Sequence, residues 1–302
     1  MASAPIYIVM ALLSAVLMGT IGVFAKFTAL PAEQITFYRL VFASLFLMAY
    51  MIMSGKGRQI WHKPSKRQFL NGAMLAGFMG FYIEAINYTS MANVIMVIYL
   101  APLLSAVIAH FAFGEKLTIW NLAAIALALF GFTLMIPMDN AGIRLSSQEL
   151  IGLGYALLTL LCYSGFMLIN RKPSRSSPYQ STLVQLSVGA LCLLPLIALQ
   201  VTNAELTLPN QQQMLWLLAI GFLPGFLAIL FAVKALQYLP AVTFGTLAYL
   251  EPVAEVASAW WVFNETLSPV QLSGVGLIIS AGIAQGWLSQ RKTTPQTPVH
   301  AV

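Results

Sequence analysis

Long apolar runs separated by short polar breaks occupy almost the whole chain. The runs, bounded by charged residues, Pro, Asn or Ser, fall at residues 5–28, 33–54, 69–88, 91–113 and 119–137, then at 149–170, 179–200, 214–236, 241–263 and 270–289. Each is close to the ~20 residues that an α-helix needs to cross the hydrocarbon core of a bilayer. The pattern therefore predicts an all-α membrane protein with ten transmembrane helices. Two helix starts are marked: Thr118, and Ser268 with Pro269 at the first helical position, read as N-caps that open the fifth and tenth helices. A membrane β-barrel needs short segments alternating apolar and polar residues. Continuous runs such as Leu122 to Ile136 do not have that form.

Composition agrees with a lipid solvent. Of 302 residues, 59% are apolar and 8% charged, where a water-soluble domain carries about a quarter of its residues as charges. The first run is expected to be retained and not cleaved as a signal peptide, since Met1 to Pro5 has no basic residue and the run that follows is long enough to span. Cys162 and Cys192 each lie in an apolar run and read as small core hydrophobes, with no disulfide framework or metal site indicated.

The net charge of +6 changes meaning once the basic residues are placed. The break after the second run holds Lys56, Arg58, Lys63, Lys66 and Arg67. Lys116, Arg171, Lys172, Arg175, Lys234, Arg291 and Lys292 fall on the same face, so that twelve of the fifteen Lys and Arg share it. Cytoplasmic loops are enriched in Lys and Arg, which predicts cytoplasmic termini. Lys26 and Arg144 remain on the other face. The basic surface then reflects topology and contact with anionic lipid headgroups, with no nucleic-acid partner implied.

The two halves repeat. At a fixed offset of 150, Ala85 matches Ala235, Tyr88 matches Tyr238, Tyr99-Leu100 matches Tyr249-Leu250, Pro102 matches Pro252, and Phe113, Glu115 and Leu117 match Phe263, Glu265 and Leu267. A duplicated unit with an odd number of spans must insert its copies in opposite orientations, the inverted-repeat construction that secondary transporters use for alternating access. The expected organisation is a first five-helix repeat at 1–140, a second at 141–290 and a polar, disordered tail at 291–302.

The stretch Ala235-Leu236-Gln237-Tyr238-Leu239-Pro240-Ala241, the Leu250-Glu251-Pro252 triplet, and the paired segments Phe113-Gly114-Glu115-Lys116-Leu117 and Phe263-Asn264-Glu265-Thr266-Leu267 resemble the drug/metabolite transporter superfamily, and within it the EamA-type ten-helix members. The resemblance covers nearly the whole chain. It implies a central cavity between the halves and a carrier of a small organic solute, by similarity to proteins that move amino acids, other metabolites, vitamins or organic cations, most often outward.

Intramembrane charge points to the working residues, because a charge at helix centre costs about 2.5–3.5 kcal/mol on insertion scales. Glu251 and Glu255 lie four residues apart on one face of the ninth helix. Two carboxylates so placed repel when both are ionised, which favours a shared proton or a bound cation. The competing reading of Glu251 is a structural one, a hydrogen bond from the family's Glu-Pro bend to a neighbouring helix. Glu84 and Lys234 align at the same offset of 150 and would mark the two ends of one pathway, Lys234 alternatively snorkelling to the interface. Arg39, inside the second helix, is similar to an Arg of the family and reads first as a tie between helix ends.

Tyr99 and Tyr249 precede the two prolines at equivalent mid-helix positions. With Tyr82, Tyr163 and Glu84 they form the expected substrate set, suited to a cationic or zwitterionic, partly apolar solute. Trp260 and Trp261 read as interface anchors. Pro102 and Pro252, with Pro224, are the expected hinges, because each removes a backbone hydrogen bond. Gly19, Gly22, Gly77, Gly80, Gly274 and Gly276 read as close helix contacts.

Rival classes fit less well. The sequence has no His-Glu-x-x-His, Gly-x-Ser-x-Gly or Gly-x-x-x-x-Gly-Lys motif of a hydrolase or nucleotide enzyme, and a channel would present equivalent filter segments around a ring. The expectation is a cofactor-free secondary carrier in a bacterial inner membrane, monomer or homodimer, exporting an amino acid or similar metabolite by proton antiport.

Overall fold

The computed structural model describes residues 4–89, 91–115, 117–135, 147–171, 176–202, 208–263 and 268–291. Lys116, Arg144, Lys172, Arg175, Lys292, the repeat positions 264–267 and the tail 292–302 lie outside them. All regular structure among the described residues is helical: α1 Ala4–Met18, α2 Ile21–Thr28, α3 Ala32–Met53, α4 Lys66–Tyr88, α5 Met91–Ile98, α6 Ala101–Phe113, α7 Ile119–Met135, α8 Ser147–Arg171, α9 Pro178–Thr202, α10 Gln211–Ile220, α11 Ala228–Tyr238, α12 Ala241–Ala248, α13 Leu250–Phe263 and α14 Pro269–Arg291. A 3₁₀ turn at Gly57–Trp61 follows α3, and a π-helical segment at Gly221–Leu227 joins α10 to α11. Among the described residues, six helical stretches are long and apolar enough to cross a membrane: Pro5–Thr28, Ala32–Met53, Lys66–Tyr88, Ser147–Arg171, Pro178–Thr202 and Gln211–Tyr238. The two marked starts fall as read, α7 beginning directly after Thr118 and α14 at Pro269.

The core is mostly apolar but admits polar side chains, and the surface carries large apolar side chains that a water-soluble protein would bury. Gln34, Asn71, Ser105, Thr182, Thr243 and Gln285 are buried, while Leu191, Leu215, Trp261 and Ile283 are exposed. Lipid tails are as apolar as these side chains, so nothing drives them inward, and the interior is held by close packing and interhelical hydrogen bonds. Cys192 shows the consequence. It is exposed on α9, not in the core expected for it, because an apolar side chain facing lipid needs no protein neighbour.

Four of the apolar runs are interrupted helices, and each interruption has a local cause. Pro102 and Pro252 carry no N–H, so the carbonyls of Ile98 and Ala248 lose their helical donors. The chain tightens just ahead of each proline, with Leu100 N donating to Val97 O at 3.1 Å and Tyr249 N to Thr246 O at 3.3 Å. Pro224 likewise frees the carbonyl of Ile220 inside the π-helical segment. Between α1 and α2, Thr20 turns back on Leu17, its hydroxyl donating to that carbonyl at 2.6 Å and its N–H at 3.2 Å.

Packing partners come in swapped pairs. α4 packs on α8 as α11 packs on α1; α4 also packs on α9 as the π-helical segment packs on α3; α5 and α6 touch α8 as α12 and α13 touch α1. The remaining principal contacts, α3 with α9, α6 with α12 and α7 with α14, join like-numbered runs of the two halves.

Candidate functional site

The interruption between α1 and α2 lies against α13. A Cβ added at Gly19 would come within 2.5 Å of the Glu251 carbonyl and 2.7 Å of Ala254 Cβ, and one at Gly22 within 2.9 Å of Glu255 Oε1. Only bare backbone fits there, so the first run supplies a smooth face against the backbone of α13 at Glu251 and against the carboxylate of Glu255, one helical turn on. Glu251 is half-buried and Glu255 exposed.

Three tyrosines lie within electrostatic reach of the two carboxylates. Glu251 acts electrostatically on Tyr82, Tyr99 and Tyr163, and Glu255 on Tyr82 and Tyr99. Tyr163 stacks on Phe78, ring centroids 4.7 Å apart. Tyr99 lies between Phe132 at 4.3 Å and Tyr249 at 5.6 Å. Tyr249 is fully buried, and its hydroxyl donates to the Tyr99 carbonyl, giving one acceptor at the α5/α6 interruption a partner. Pro102 is buried one turn away, where α12 crosses so closely that a Cβ on Gly245 would lie 2.5 Å from Pro102 Cβ.

Glu251, Glu255, Tyr82, Tyr99, Tyr163, Tyr249, Pro102 and Pro252 thus share one region. Glu84 lies elsewhere on α4, because a residue two positions from Tyr82 points about 200° around the helix from it, and it is half-buried. Lys234 is also apart: its Nζ donates to the Tyr179 hydroxyl at 2.9 Å and sits 4.3 Å from that ring's centroid. Lys56, in the turn after α3, lies over the same ring at 3.9 Å. A hydrogen bond to Tyr179 raises Lys56 above the ordinary lysine range. Arg39 reaches α4, where its Nη2 donates to Met79 Sδ at 3.2 Å.

Several contacts had no distinct mark in the chain. Glu115 was visible as a repeat match and in a family-like segment but with no role attached, yet it accepts from Arg171 Nε at 2.5 Å and from the Ala241 N–H at 3.0 Å, so it pairs with the end of α8 and caps α12 together. Gly221 and Gly225 let α3 press on the π-helical segment, a Cβ at Gly221 reaching 2.4 Å from Phe42 Cβ. At the ends of α4, α8 and α9, Gln68 donates to Ser181 at 3.1 Å and Gln185 to Asn170 at 2.9 Å. They surround a cavity of about 20 Å³ that Asn71 also lines, enough for one water. Both side-chain polar atoms of Asn71, Asn170 Nδ2 and Gln185 Oε1 have no protein partner there.

Comparison with known proteins supplies the family. The chain is 25% identical over 283 residues to the threonine/homoserine exporter RhtA of Escherichia coli, covering 92% of this chain and 90% of that one. It is 23% identical over 254 residues to an S-adenosylmethionine uptake transporter of Rickettsia prowazekii, covering 84% and 82%. An uncharacterized transporter of Archaeoglobus fulgidus is 28% identical over 278 residues, covering 91% and 94%. A crystal structure 20% identical in sequence superposes with a TM-score of 0.82 over 94% of this chain and 99% of that one, which shows a shared fold. The model of the EamA-like transporter family matches twice, at residues 5–136 and 150–284. Set beside the helices and the apolar surface, these matches make the chain a multi-pass membrane transporter of the EamA-like transporter family, within the drug/metabolite transporter superfamily.

Proposed function

We propose that the protein is a secondary carrier of an amino acid or closely similar metabolite, working outward across a bacterial inner membrane by alternating access and proton antiport. The observation that carries this reading is the pair Glu251 and Glu255 on α13, packed at its backbone on Gly19 and at the Glu255 carboxylate on Gly22, within electrostatic reach of Tyr82, Tyr99 and Tyr163, where the first, fourth and ninth runs are interrupted. Two carboxylates give a site that holds either protons or a cationic group, and the tyrosine rings accept the apolar part of the solute with its ammonium. Tyr249 serves the site through Tyr99.

In this reading ten helices form two inverted repeats, 1–140 and 141–290, with both termini cytoplasmic. The swapped packing pairs, the double family match and the Tyr99–Tyr249 contact between residues 150 apart favour it. Threonine, homoserine and S-adenosylmethionine, named for two relatives, all carry an α-ammonium and an α-carboxylate. Outward movement follows the exporter among them. Pro102, Pro224 and Pro252 are the hinges, and Glu84 and Lys234 flank the two mouths of the pathway.

Purified protein in liposomes, loaded with labelled amino acids, vitamins and organic cations in turn, tests this. The expected result is saturable counterflow of amino acids, and accumulation driven by an imposed pH gradient. In the double variant Glu251→Gln, Glu255→Gln that accumulation falls to the level of protein-free vesicles. Gradient-driven accumulation that survives both substitutions sinks the proton-site assignment.

A further inference from the structure

We propose that Arg39 is the carboxylate-binding residue of the transport site, taking the α-carboxylate of an amino-acid solute whose ammonium lies at Glu251 and Glu255. This rests on the amino-acid reading above and extends it to the second charge of the solute.

Arg39 is the one charged residue buried among the described residues, at 7% exposure. A guanidinium offers five N–H donors, and burying it costs several kcal/mol unless it is paired and hydrogen-bonded. Here its one hydrogen bond goes to the thioether of Met79, a weak acceptor. Its Nε is buried with no partner. Burial of a charged, under-satisfied fork is retained in a membrane helix where it has work to do.

Its position is suitable. Met79 lies one turn from Tyr82 on α4, so the guanidinium sits one helical turn below a residue already in electrostatic contact with both carboxylates. Glu251 acts electrostatically on Arg39, yet the two form no ion pair within 4.0 Å. A cation and an anion within electrostatic reach but not paired fit a zwitterion between them, ammonium to Glu251 and Glu255, carboxylate to Arg39. The planar fork of Arg matches a carboxylate by two parallel N–H donors, which a Lys would not reproduce. From behind, the Arg39 backbone is held by the π-helical segment, whose Gly225 comes so close that a Cβ there would lie 3.1 Å from the Arg39 carbonyl.

The test is competition against counterflow of labelled L-threonine in proteoliposomes, comparing unlabelled L-threonine with L-threoninamide, which lacks only the carboxylate charge. Wild type should prefer the acid by about tenfold or more, the factor expected for a hydrogen bond to a charged group. Arg39→Gln should reduce that preference to near unity, Arg39→Lys should keep part of it, and Glu255→Gln should leave it intact while weakening both competitors. Wild type that accepts the amide as well as the acid overturns the proposal without any variant, and so does an Arg39→Gln protein that transports with the wild-type preference. Absence of amino-acid counterflow in folded wild type overturns the functional reading itself, whereas amino-acid counterflow without a role for Arg39 overturns this inference alone.

Discussion

Two three-helix joints are made by different chemistry. Where α4, α8 and α9 meet, the contact is made by Gln68, Asn71, Asn170, Ser181 and Gln185, with unpaired amide atoms around a small cavity. The corresponding runs of the other half, α2, α3 and α10, meet through Leu30, Ile35, Leu217 and Ile220, with Gln213 donating to the Thr28 carbonyl at 2.8 Å beside them. Opening the amide joint to water exchanges a few hydrogen bonds for others at little net cost. Opening the apolar joint exposes hydrophobic surface at about 25 cal/mol per Å². The two joints are therefore not energetically equivalent: the amide joint opens to water more cheaply. On the proposed topology that joint is cytoplasmic.

The contrast can be broken or sharpened by substitution, from the largest effect downwards. Glu115→Ala removes the α12 cap and strands Arg171 at the amide end. A loss of about 3 kcal/mol is expected, as for a mostly buried pair deprived of one partner, read by chemical unfolding in detergent. A Ser181→Cys reporter should become more reactive to a water-soluble maleimide in that background, while an Ile35→Cys reporter at the apolar end should not. Leu217→Ala should cost about 2 kcal/mol, at the low end of the range for buried leucines, because lipid still solvates the chain when packing is lost and only the cavity cost remains. Here the reporter at Ile35 should respond and the one at Ser181 should not.

Asn71→Leu has the opposite sign. Removing two buried unpaired polar atoms should stabilise the protein by about 1 kcal/mol and slow counterflow by making the amide end resemble the other. If Asn71→Leu destabilises as Leu217→Ala does, the distinction between the two joints is lost.

What the chain disclosed follows from what a bilayer penalises. Runs of about 20 apolar residues were visible because backbone in lipid must be helical, and Pro102, Pro224 and Pro252 marked interruptions because each deletes a donor. Glu251 and Glu255 stood out as charges one turn apart, and Tyr82, Tyr99 and Tyr163 are within electrostatic reach of one or both. The break at Gly19-Thr20 was not visible as a break, because glycine in a membrane helix marks close contact and interruption alike; here it is both. The amide cluster was silent for another reason. Asn and Gln are uncharged and fall at ordinary intervals within apolar runs, so only the crossing of three helices shows that they converge. Glu84 was grouped with the tyrosines by its charge and its repeat partner, but the helical period turns it away from Tyr82.

The π-helical segment at Gly221–Leu227 also fixes a register. A π turn holds one residue more than the α turn it replaces, and each residue rotates a helix by about 100°, so everything beyond it is turned by that amount relative to an unbroken helix. Rewinding Gly221–Leu227 as a plain α-helix with no residue removed would leave a continuous, apolar helix, yet would swing Ala228 away from the Ser14 hydroxyl that bonds its carbonyl at 2.8 Å and carry Lys234 off the Tyr179 ring. The extra residue of this one turn, in the middle of the eighth run, thus sets which face every downstream residue presents, and straightening the turn at constant length would reassign them all.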